Sequence, residues 1–102
     1  MWATIEATRT YTYRVLEMCG DLEAGRPGAS ASEVHAHSAA AILRAADVNM
    51  RVAEEALQIH GGSGYMWEME VNRLYRAAKL LEIGAGTQEI RRNIIAKELL
   101  RP

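Results

Sequence analysis

Two glycine-rich joints hold the chemistry this sequence can offer, and they differ physically. Gly84-Ala85-Gly86-Thr87 stands just before a helix start. Unpaired N–H groups and the positive end of the helix dipole favour an anion or a polarised carbonyl there. Small side chains leave the backbone bare, Thr87 adds a hydroxyl, and Arg91 and Arg92 follow one turn on. A plain connecting loop fits the same residues equally well. Gly61-Gly62-Ser63-Gly64 instead follows a helix end, without the preceding strand or the Gly-Lys-Ser/Thr of a P-loop. A helix stop plus a turn is its simplest reading. Three glycines in four residues exceed that need, and the surplus permits another backbone or a ligand to come close.

The remaining candidates are weaker. His35 and His37 diverge on a helix and cannot share a metal, so no metal site is expected. His60 has no nearby carboxylate or cysteine pair and suits a helix end. Glu68 and Glu70 have nothing to place them in a pocket as an acid–base pair. Met66, Trp67 and Met69 form an apolar loop run suited to packing against a partner chain. Cys19 is the only cysteine, which excludes an internal disulfide and a Cys-x-x-Cys site. No Ser/His/Asp or Cys/His arrangement is visible.

Four helical stretches must position the joints. The first spans about Trp2 to Glu23, with Ile5, Thr8, Thr12, Val15, Leu16, Cys19 and Leu22 on one face. Gly25, Pro27 and Gly28 end it. Ser30 and Glu33 form a capping box for the second. Its narrow alanine-rich stripe, from Val34 through Ala41, Ile42, Val48 and Val52 to Ile59, suits close helix packing. The third runs from roughly Met69 to Glu82 around Val71, Leu74, Tyr75, Ala78 and Leu81. The fourth starts at Thr87 as N-cap, with Glu89 in its first turn and Ile90, Ile94, Ile95 and Leu99 as its apolar face. No stretch alternates with period two, and short connections return neighbours antiparallel. The expected fold is all-α, an antiparallel up-and-down bundle of about four helices.

At 102 residues the chain fits one domain, 1–102, and its 49% hydrophobic and 25% charged residues are those of an ordinary globular protein. A net charge of −1 argues against a nucleic-acid module. No apolar run approaches the roughly 18 residues of a membrane span. The N-terminus lacks the layout of a secretory signal, so the expected compartment is cytoplasmic. A chain this short buries only about 60–65% of its unfolded surface, so partner subunits or further segments are expected.

Three segments in order carry a resemblance that covers essentially the whole chain. They are Gln58-Ile59-His60-Gly61-Gly62-Ser63-Gly64-Tyr65, Arg73-Leu74-Tyr75-Arg76-Ala77-Ala78-Lys79, and Glu82-Ile83-Gly84-Ala85-Gly86-Thr87-Gln88-Glu89-Ile90-Arg91-Arg92. Together they resemble the C-terminal helical domain of the acyl-CoA dehydrogenase family, most closely its isovaleryl-CoA dehydrogenase-like members. The resemblance implies an FAD enzyme that oxidises a short or branched acyl-CoA, such as isovaleryl-CoA, to the 2,3-enoyl-CoA. In that family a carboxylate takes the alpha proton, hydride leaves to the flavin, and electrons pass to an electron-transferring flavoprotein. It implies that Gln58, Ile59, His60, Gly61 and Gly62 touch the FAD of a neighbouring subunit in a homo-oligomer, a dimer or tetramer. Thr87, Gln88 and Glu89 would contact FAD as well, and Ala85 and Gly86 would hold the thioester through a backbone N–H. A fixed donor suits the negative charge that builds on the carbonyl oxygen as the alpha proton leaves.

The departures from the family pattern are specific. Most members carry the catalytic glutamate where this chain has Ala85, so no catalytic residue is expected within residues 1–102. In the isovaleryl-CoA dehydrogenase-like members the base comes from an earlier helix of the same domain. Ala77 replaces the usual aspartate of an Arg-Asp-Ala-Lys run. Small Gly84 and Ala85 suit a pocket widened for a branched acyl chain. The isolated chain is therefore expected to be inactive. The alternative reading is a non-catalytic helical interaction module that needs a base-carrying partner subunit.

Overall fold

Local chemistry sets the helix limits in the computed structural model, which describes residues 1–102. α1 spans Trp2–Glu23, and Gly25 with φ +64° turns the chain out of it. α2 spans Ala31–Ile59. The Ser30 N–H donates to the Glu33 carboxylate (2.7 Å), and the Glu33 N–H donates back to Ser30 Oγ (3.2 Å). The first of these bonds is the main reason the Glu33 carboxyl lies below the usual range. A short 3₁₀ turn covers Gly61–Tyr65, α3 spans Glu70–Ile83, and α4 spans Gln88–Leu99 behind its N-cap Thr87. There is no strand, so the all-α expectation holds and the four helices lie where the sequence places them.

α2 is the spine. At 29 residues it is about 43 Å long, and α1, α3 and α4 each pack on it. α1 runs antiparallel to its first half, placing Cys19 Sγ 3.8 Å from Ser38 Oγ. α3 starts beside the far end, where the Asn72 side chain donates to the Gly64 carbonyl. α4 ends beside the start of α2, where Ser32 donates to Glu98 (2.6 Å). α3 and α4 therefore lie end to end, both antiparallel to α2 and together about 39 Å long. The expectation that each short connection returns the chain antiparallel holds for the first two pairs and differs for the third. The bundle has three columns, not four.

This arrangement leaves apolar faces partly uncovered. The core is small-residue packing: Val15 of α1, Val34, Ala36, Ala39, Ala41, Ala46 and Val48 of α2, and Val71 and Ala78 of α3. Leu16, Ile42, Leu74 and Leu81, expected on inward faces, are exposed. A radius of gyration of 16.5 Å exceeds the roughly 13 Å of a compact domain this long.

α4 is turned relative to the expected face. Ile90 (51% exposed) and Leu99 (73%) point outward, while Arg91 (6%) and the Glu98 carboxylate (7%) turn inward beside Ile94 and Ile95. The 91/94/95/98 spacing is as helical as the expected one, and polar ties at both ends select it. Glu98 accepts from Ser32 Oγ and from His35 Nδ1 (2.9 Å), with Arg101 Nε 3.4 Å away. The Ser32 bond, then that of His35, holds the Glu98 carboxyl below the usual range. A lowered carboxyl stabilises the fold fully above its unfolded pKa of about 4.3 and loses that contribution as pH falls through the lower folded value. Thermal melts of the protein between about pH 3 and 7 should fall off on the acid side. Glu98→Gln should flatten that fall; an unchanged slope in the variant would show that the tie is not what titrates.

Candidate functional site

The joint between α3 and α4 is built from satisfied carbonyls and one free amide. At the end of α3 the Gly84 N–H donates to the Leu80 carbonyl (2.7 Å). Arg91 reaches back from α4 and donates to the carbonyls of Leu81 (Nη1, 3.1 Å) and Gly84 (Nη2, 2.9 Å). Those groups are the negative end of α3, so the cation offsets the dipole. The chain then takes two left-handed steps, Ala85 at φ +54° and Gly86 at φ +99°. Alanine in that region costs about 1 kcal/mol, so its neighbours must hold it there. The Ala85 N–H donates to no acceptor of the chain, while Gly84 and Ala85 form the middle of a hydrogen-bonded turn that ends on Gly86. A carbonyl or anion can therefore dock on the Ala85 amide without breaking an internal bond.

Thr87 closes the other side of the joint. Its hydroxyl oxygen accepts from the Ile90 N–H (3.4 Å). The Glu89 carboxyl sits below the usual range, first through its own backbone N–H and then through the Thr87 hydroxyl. The Gln88 side chain is engaged at both ends: its Nε2 donates to Glu82 (2.9 Å) and its Oε1 accepts from Arg92 (3.2 Å). The sequence places Arg91 and Arg92 as a positive field for the joint. In the fold Arg91 is committed to α3 carbonyls, and exposed Arg92 is committed to Gln88 and Glu89.

Ala85 opens onto a trough of about 970 Å³ between α1 and the α3–α4 column, floored by the middle of α2. Ile5 and Thr12 form one wall, Ala45 and Val52 the floor, and Leu81 and Ala85 the other wall. No aspartate or glutamate lines it; Arg9 and Arg91 are its charged residues.

α3, 14 residues and about 21 Å long, keeps the second joint away from the first. Gln58, Ile59, His60, Gly61 and Gly62 all lie on the surface. The structure does not bring them to Thr87–Glu89, so one chain presents two separate faces. His60 Nδ1 sits 2.8 Å from the Ala56 carbonyl and closes the end of α2, which leaves Nε2 outward. The glycines have different reasons. Gly61 adopts φ +57°, and a Cβ on Gly64 would lie 2.7 Å from the Leu57 carbonyl oxygen. A Cβ on Gly62 would meet nothing within 4 Å, so the fold of this chain does not require glycine there. Tyr65 and Trp67 stand exposed beside this stretch, with the Arg76 guanidinium 4.4 Å over the Trp67 ring. His35 and His37 turn to Glu98 and Tyr11 respectively and share no ligand position.

Sequence reasoning missed Arg91 as a clamp and Glu82 as the partner of Gln88. The i, i+3, i+4 relation of Arg91 to Ile94 and Ile95 was the available signal that it faces inward.

The family described as acyl-CoA dehydrogenase, C-terminal domain, matches residues 1–100. The chain belongs to the acyl-CoA dehydrogenase family as its C-terminal domain. It is 40% identical over 101 residues to the mitochondrial isovaleryl-CoA dehydrogenase of Oryza sativa subsp. japonica, covering 99% of this chain and 22% of that protein. It is 53% identical over 64 residues to a probable acyl-CoA dehydrogenase of Bacillus subtilis (strain 168), covering 63% of this chain and 17% of that protein. Cyclohex-1-ene-1-carbonyl-CoA dehydrogenase of Geobacter metallireducens is 38% identical over 104 residues, covering all of this chain and 25% of the relative. The chain thus spans about a quarter or less of the length of these relatives. No helix is long and apolar enough to cross a membrane, and the rice relative is a mitochondrial protein by name.

Proposed function

We propose that residues 1–102 serve an FAD-dependent acyl-CoA dehydrogenase that acts on a short or branched acyl-CoA. They contribute thioester-holding and FAD-holding backbone together with oligomer contacts. The observation that carries this reading is the unbonded Ala85 amide at the lip of the apolar trough. A thioester carbonyl docked there gains negative charge as its alpha carbon loses a proton, and a fixed amide stabilises that charge without reorganising. Small Gly84 and Ala85 leave room for a branched acyl chain beside them.

The residues fit FAD by a physical criterion. Gly62 is a bare surface position that the chain's own packing does not explain, and it sits among exposed Gln58, Ile59 and His60. Gln58–Gly62 would hold the flavin of a neighbouring subunit, and the backbone of Thr87, Gln88 and Glu89 would hold a second stretch of FAD. When bound, FAD supplies the hydride acceptor, and an electron-transferring flavoprotein is the expected oxidant. Residues 1–102 bind and orient; the base comes from other polypeptide, because no carboxylate lines the trough.

The test is direct. The full flavoenzyme that contains residues 1–102 should carry flavin absorbance, and isovaleryl-CoA added without oxygen should bleach it far faster than a long straight-chain thioester does. The 102-residue chain alone should give no turnover. Flavin-loaded protein that no acyl-CoA bleaches would leave the interaction-module reading in its place.

A further inference from the structure

We infer that Arg91 is a positioning residue that aims the Ala85 amide, an inference that rests on the thioester-holding reading above. Arg91 is 6% exposed, and its guanidinium is bonded to carbonyls rather than to a carboxylate. A buried guanidinium without a counter-ion is costly unless its hydrogen bonds are good. Both of its bonds go to backbone carbonyls that bracket the end of α3, Leu81 and Gly84.

The Gly84 bond fixes more than a carbonyl. The Gly84 C=O and the Ala85 N–H belong to one peptide group, which is planar and trans. Pinning the carbonyl toward Arg91 therefore points the Ala85 N–H the opposite way, where it finds no acceptor in the chain. The same peptide enters the left-handed Ala85 step, a conformation that persists only where its surroundings over-determine it. Arg91 supplies that constraint through a rigid fork spanning two carbonyls. A lysine, with one rotatable ammonium, cannot reproduce the fork. The Arg91 N–H also donates to the Thr87 carbonyl (3.0 Å), so the clamp is rooted in the first turn of α4.

The test separates aim from bulk stability. Affinities of the full flavoenzyme for acetyl-CoA, which has no beta carbon to oxidise, and for S-ethyl-CoA, which lacks the carbonyl, are measured by titration calorimetry. Their ratio reads the amide–carbonyl bond alone. Wild type should prefer the thioester by about tenfold, the worth of one well-aimed hydrogen bond. Arg91→Gln should abolish that preference while leaving S-ethyl-CoA affinity unchanged. Arg91→Lys should lose most of it too, and it serves as the variant of record if Arg91→Gln does not fold. Preference retained in Arg91→Lys, or equal weakening of both ligands, overturns the proposal. Absence of any preference in wild type overturns the thioester-holding reading instead.

Discussion

Replacing Gly62 with valine is expected to empty the flavin site and leave the helix content, and the melting temperature of the flavin-free protein, where they were. A Cβ at Gly62 meets nothing within 4 Å, and the residue is not in the left-handed region. Surface substitutions of that kind stay within about 0.5 kcal/mol. Only something brought to the surface can object to the new side chain, and in the proposed reading that is FAD from a neighbouring subunit. Gly64→Ala supplies the contrast. Its methyl would press to 2.7 Å on the Leu57 carbonyl oxygen, a backbone atom that cannot rotate away. A cost of about 1–3 kcal/mol follows, lowering the melting temperature by several degrees or more. The flavin-to-protein absorbance ratio beside far-ultraviolet circular dichroism reads both variants. Gly62→Val with full flavin content would remove the cofactor role from this stretch. Loss of helix in step with flavin would return it to a helix stop.

Helix limits were legible because they are written in local chemistry. The Ser30–Glu33 box, the Thr87 cap and the Gly25 and Gly84 stops all act within a few residues of themselves. Helix faces were less legible. Ile90 and Leu99 look inward by type, yet the inward positions went to Arg91 and Glu98, whose partners are Leu81, Gly84, Ser32 and His35. Those partners lie seven to 66 positions away, and no window along one helix contains them all. The tandem column of α3 and α4 is likewise a property of the long α2 that supports both. At the candidate site the bare joint was readable from Gly84-Ala85-Gly86. The engagement of the Gln88 side chain by Glu82 and Arg92 was not, because it depends on how α4 is rotated.

Trp67→Ala is expected to weaken self-association at least 30-fold, the loss of about 2 kcal/mol that marks an aromatic hot spot. Trp67 is 73% exposed and Tyr65 82%, near exposed Ile59 and Met66 in the chain, and large apolar side chains gathered in the open suit an interaction surface. Arg76 stacks over the Trp67 ring at 4.4 Å and holds it in place before any partner arrives, so little rotamer entropy remains to be lost on binding. The substitution removes no side chain from the core, and the melting temperature of the separated subunit should barely move. Sedimentation velocity over a concentration series checks the association constant, and flavin content is read on the same fractions. The patch adjoins Gln58–Gly62, so dissociation should release FAD together with the subunit. Gly62→Val should release FAD without dissociation. An oligomer that survives Trp67→Ala intact would place the subunit contact elsewhere. The covering of the Tyr65–Trp67 loop would then fall to other parts of the same polypeptide.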